Sequence, residues 1–157
     1  MKSFKILFFF LFAFIFLNAC KKEFSFEHNL QTSNQWQFSN GASNYSGNIN
    51  SVSRTSLGST NQLTITGKTI NGLESFELRL YGDSLKTGTY NASSFQSSFT
   101  YSSPNEIIYS ANQLVGEFTV NVTSLESNFI QGNFSGTAED STGNLIQITN
   151  GTFKSSY

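Results

Sequence analysis

The segment Gln62–Tyr81, QLTITGKTINGLESFELRLY, constrains the fold more than any other stretch of the chain. Its apolar residues alternate with polar ones on both sides of Asn71-Gly72, which is the pattern of two half-buried strands joined by a tight turn. Asn-Gly is favoured in a two-residue type I′ turn because both positions take positive φ. Counting outward from that turn pairs Leu63 with Leu80, Ile65 with Leu78 and Gly67 with Phe76 on one face. Thr64 then faces Arg79, and Thr66 faces Glu77, on the other. A slip of one residue would turn the whole apolar set into water, so pattern and turn specify the register together. A helix is disfavoured, because the Thr- and Gly-rich first arm forms helix poorly.

The same period recurs along the chain. Trp36 and Phe38 alternate, as do Tyr45, Gly47 and Ile49. Phe118, Val120 and Val122 alternate with Glu117, Thr119 and Asn121 within an expected strand segment Leu114–Val122. Ile130, Gly132, Phe134, Gly136 and Ala138 form the next set, where the glycines imply bends or close packing against a bulky neighbour. Asp140–Asn144 reads as a hairpin loop rather than a calcium turn. Thr149–Thr152 reads as a bulge, since too few residues follow Gly151 for another hairpin. The Ser-rich stretch from Asn91 to Asn105 reads as irregular. The sum is a single all-β domain at residues 34–157, of about nine or ten strands, built as an antiparallel sandwich or a closed barrel. The outward positions are rich in Thr and Asn rather than apolar, unlike a membrane-spanning barrel.

The N-terminus has a different character. Lys2 and Lys5 precede an unbroken apolar run of 12 residues, Ile6–Leu17. As a helix it would span ~18 Å, short of a ~30 Å hydrocarbon core, and it matches the apolar region of an export signal. Leu17-Asn18-Ala19-Cys20 follows and resembles the lipobox of bacterial lipoproteins. That resemblance implies cleavage after Ala19, lipid attachment at Cys20 and anchoring by acyl chains, each buried CH₂ contributing about 0.8 kcal/mol. The expected organisation is a signal peptide at 1–19, a lipidated Cys and tether at 20–33, and the β-domain beyond. Lys21 directly after Cys20 is similar to lipoproteins sorted to the outer membrane. Lys21-Lys22-Glu23 partly resembles the surface-export signal of Bacteroidota lipoproteins, which leaves the periplasmic and outward faces both open.

The lipobox, the Trp-containing strand, the Gly88-Thr89-Tyr90 segment, Gly132–Phe134 and the terminal Ile148–Phe153 together resemble small β-rich Bacteroidota lipoproteins of unknown function. That resemblance implies fold and location and transfers no catalytic residue. By a similar likeness, Asp83-Ser84-Leu85 and Asp140-Ser141-Thr142 resemble the O-glycosylation sequence of that group, with Ser84 and Ser141 as acceptors.

Residues that carry chemistry are few. The chain has one His and one Cys. His28 lies in the tether and Cys20 in the lipobox, so no catalytic residue, metal or other cofactor is expected. Without Met1–Ala19 the net charge is −3, and no basic stripe marks a nucleic-acid partner. Tyr81 and Tyr101 are the aromatic side chains expected to face solvent as ligand contacts. The expected function is a non-enzymatic, lipid-anchored envelope protein acting as an interaction or ligand-binding module, with a glycan or an envelope protein as partner. The alternatives are a glycan-acting hydrolase with paired carboxylates and a structural subunit of an envelope complex.

Overall fold

A computed structural model describes residues 34–157, which form ten antiparallel strands and one three-residue 3-10 helix, Ala92–Ser94. The strands are β1 (Gln35–Ser39), β2 (Asn44–Leu57), β3 (Thr60–Thr69), β4 (Ser75–Gly82) and β5 (Gly88–Asn91), then β6 (Ser97–Ser102), β7 (Ile107–Ala111), β8 (Phe118–Leu125), β9 (Phe129–Asp140) and β10 (Leu145–Ser156). Eight of them close a barrel in the order β10-β1-β2-β3-β4-β6-β7-β9, with β9 pairing back onto β10. β7 meets β9 only at Tyr109–Asp140 and Ser110–Glu139, and β8 takes the rest of that edge. β5 pairs with β8 outside the ring. Of the two all-β architectures expected, the barrel is the one formed.

The β3–β4 register is the one read from the sequence: Leu63–Leu80, Ile65–Leu78 and Gly67–Phe76 are partners, and all six are buried. The turn differs. Thr69 N–H donates to the Glu74 carbonyl at 3.1 Å and Gly72 N–H to the Thr69 carbonyl at 2.9 Å, closing a four-residue loop, Ile70–Leu73. Gly72 has φ +73°, whereas Asn71 is not in the left-handed region. The Asn71 side chain is used instead: its Oδ1 accepts from Leu73 N–H at 3.0 Å and from the Thr69 hydroxyl at 2.6 Å. A four-residue loop centred on the same point as a two-residue one leaves every pair below it unchanged.

Three other expectations require correction. The Ser-rich stretch is not irregular throughout, because Ser97–Ser102 is the barrel strand β6. β2 is far longer than its apolar pattern shows, since its last residues, Ser53–Leu57, are exposed and paired with β3. Leu114 lies outside β8, which starts at Phe118. The bulge at Thr149–Thr152 is present, with a register shift between Ile148 and Gly151 and Asn150 at φ +53°.

Aromatic rings fill the barrel. Trp36 stacks on Phe76 at 4.8 Å between centroids, and Phe99 stacks on Phe118 at 5.3 Å. Full burial of a side chain of this size contributes about 1.5–3 kcal/mol. The rings fit because glycines face them across the sheet. Trp36 pairs with Gly47, Phe76 with Gly67, Phe153 with Gly132 and Phe134 with Gly151. A Cβ at Gly132 would lie 2.6 Å from the Phe153 ring. The inward glycines are therefore the space the aromatic core occupies.

Candidate functional site

Buried aromatic and aliphatic side chains fill the barrel interior, so the candidate surfaces among the described residues are on its outer face and ends. The two expected aromatic contacts separate on this criterion. Tyr101 is not exposed: its relative exposure is 2%, and it faces inward on β6 opposite Phe76 and Tyr109. Its ring meets Phe38 edge-on at 5.3 Å and stacks on Tyr109 at 6.1 Å. Burial pushes the Tyr101 hydroxyl well above the ordinary phenol pKa. Burial, with the hydrogen bond Tyr109 shares with Tyr45, pushes Tyr109 up to about 12. The Tyr45 and Tyr109 hydroxyls are 3.0 Å apart, and Asn40 Nδ2 donates to Tyr109 at 2.9 Å. This cluster is a core element with a polar rim.

Tyr81 is half-buried on the outer face of β4 and lines a cleft of about 520 Å³ at one end of the barrel. Phe95 and Leu114, neither of which the sequence singled out, are its apolar walls. They are 70% and 85% exposed. Phe95 ends the 3-10 helix at φ +60°, with its N–H on the Ala92 carbonyl at 2.9 Å. Gln96 then bridges the strands, its carbonyl accepting from Tyr81 N–H at 2.8 Å. Leu114 is held by Asn112, whose Oδ1 accepts the Leu114 N–H at 2.8 Å. A bulky side chain in the left-handed region costs on the order of 1 kcal/mol.

A second depression, of about 540 Å³, crosses the outer face from β2 over β1, β10 and β9 to Thr123 of β8. Five amide side chains line it: Gln35, Gln37, Asn48, Gln131 and Asn133. Register sets them in two rows across the strands. One row runs Asn133, Thr152, Gln37, Ser46, and the other Gln131, Lys154, Gln35, Asn48. None of the five amides makes a side-chain hydrogen bond to another described residue. Amides in the turns behave differently: Asn40, Asn71, Asn112 and Asn144 are all engaged with their own loops. Ile70, 84% exposed in the β3–β4 loop, forms one wall of this groove.

A family described as a domain of unknown function, DUF6252, matches residues 41–155. The chain belongs to this family. No curated protein and no solved structure matches it. The DUF6252 match begins after β1, yet β1 closes the barrel between β10 and β2 and carries Gln35 and Gln37 into the groove. Among the described residues of this DUF6252 protein, no three His, Cys, Asp or Glu side chains are grouped as a metal site. Asp140 is spent on its own loop. Its carboxylate accepts from the Thr142 hydroxyl at 2.7 Å and from the Thr142 and Asn144 N–H groups at 2.9 Å each. These bonds hold its pKa at about 2. Ser84 and Ser141 are both exposed, each in a connection between strands. Ala19, Cys20 and the tether with His28 lie outside the described residues.

Proposed function

We propose that this DUF6252 chain is a lipid-anchored, non-enzymatic protein of the cell envelope whose barrel presents a ligand-binding surface on its outer face. The observation that carries the reading is the groove of amides that no other described residue engages, on a barrel whose interior is filled by side chains. Exposed amides in register offer paired donors and acceptors at fixed spacing, which suits recognition rather than bond cleavage. Neither the groove nor the Tyr81 cleft is lined by an Asp or Glu. Neither therefore carries the carboxylate pair that a glycan hydrolase needs.

The anchor rests on the lipobox-like Leu17-Asn18-Ala19-Cys20, with Cys20 acylated after removal of residues 1–19 and residues 20–33 acting as the tether. The outer membrane is the proposed location, at its periplasmic or outward face. The exposed Ser84 and Ser141 are the proposed O-glycosylation acceptors there. A second reading, a subunit of an envelope assembly, is favoured by the exposed Phe95 and Leu114, since apolar side chains at a cleft suit a protein partner.

The test is fractionation of cells carrying wild-type chain or Cys20→Ala. Wild-type protein should sediment with membranes and show an acylated N-terminal Cys20 by mass spectrometry. Cys20→Ala should lose the lipid and appear in the soluble fraction. Equal membrane retention of the two would contradict the anchor.

A further inference from the structure

We infer that the amide-lined groove is a glycan site that takes an extended, neutral, hydroxyl-rich polysaccharide chain lying across the strands. The inference rests on the binding-module reading above and names its ligand class. Direction is the first argument. From β2 to β8 the groove crosses four strand intervals of about 4.8 Å, on the order of 19 Å, the length of a tetrasaccharide. A peptide strand would instead add along a free sheet edge, and this groove runs across strands whose backbones are already paired on both sides.

Chemistry is the second argument. Each Gln or Asn presents a carbonyl acceptor and two N–H donors in one plane, which matches neighbouring sugar hydroxyls. Gln37 and Asn133 stand in one row with Thr152 between them, so alternate sugar units meet the same kind of partner. The lining holds no carboxylate and one cation, Lys154, whose ammonium lies 5.9 Å over the Phe129 ring. Ile70 supplies an apolar wall against which the C–H face of a sugar ring can rest.

Trp36, the sole tryptophan of the chain, has its ring buried inside the barrel and away from this outer face, so binding is read by calorimetry. Full-length protein in detergent is titrated with cellohexaose, xylohexaose and mannohexaose. At least one should bind saturably. Gln37→Ala and Asn133→Ala, both at exposed positions, should keep the wild-type Tm and each weaken that binding about three- to tenfold. Phe95→Ala should leave it unchanged. No saturable binding of any of the three overturns the inference, as does unchanged affinity in both groove variants or equal affinity for an unstructured Gly/Ser/Asn peptide. Recovery of a partner from envelopes through the Tyr81 cleft, with all three glycans failing, would overturn this site alone and leave the anchored-module reading standing.

Discussion

Gly151 of β10 lies beneath the ring of Phe134 of β9, its cross-strand partner, so closely that a Cβ there would sit 2.5 Å from a ring carbon and 2.3 Å from the Phe134 carbonyl oxygen. The contact occurs at the bulge that lets β10 pair with β9 and with β1 at once. Gly151→Ala should therefore destabilise the barrel by about 1–3 kcal/mol, the range for overpacking a core. Urea unfolding of the two proteins measures it. A change below about 0.5 kcal/mol would mean the ring yields freely.

Phe95 is a bulky residue at φ +60° with most of its ring in solvent. The fold gains little from that ring, and its backbone is strained. Phe95→Gly should raise stability by up to about 1 kcal/mol, because glycine adopts this conformation without steric cost. If the cleft holds a protein partner, the same change should also reduce recovery of that partner from solubilised envelopes. A loss of stability on Phe95→Gly would show that the ring supports the fold.

Asp140 accepts four hydrogen bonds within its own loop. These favour the carboxylate, and the folded pKa is lowered from 3.8 to about 2. Stabilisation by this group is therefore complete above the ordinary carboxylate range and lost as pH falls toward 2. Asp140→Ala should have a lower Tm than wild type at pH 7, and the gap should narrow between pH 4 and pH 2. A gap independent of pH across that window would assign the effect to something other than the ionised carboxylate.

The β3–β4 hairpin was legible because its apolar residues are large and strictly alternate. Even the bulge at Asn150-Gly151 followed from the shortness of the chain beyond it. Tyr101 was misread because serines hide the period. Ser97, Phe99 and Tyr101 face inward on β6 while Ser98, Thr100 and Ser102 face out, and Ser97 is buried with its hydroxyl on the Tyr90 carbonyl at 3.2 Å. A small polar side chain that finds an acceptor can occupy a core position, which composition alone does not show. Closure into a barrel depends on β1 meeting both β2 and β10, and the second pairing joins Gln35 to Lys154 across nearly the whole domain. No local pattern encodes such a contact. The groove was half legible: Gln35 and Gln37 alternate with the buried Trp36 and Phe38 and so must face out, but only the register brings Gln131 and Asn133 alongside them.

The account turns on where ligand meets this barrel, and side-chain amide ¹H–¹⁵N spectra address that directly. Polysaccharide released from the host envelope is added to labelled protein, and the resonances of Gln35, Gln37, Gln131 and Asn133 are followed. The account predicts that these shift together and saturably, while Gln113 beside the Tyr81 cleft stays fixed. Perturbation confined to Gln113, or none at any of the five, would contradict it.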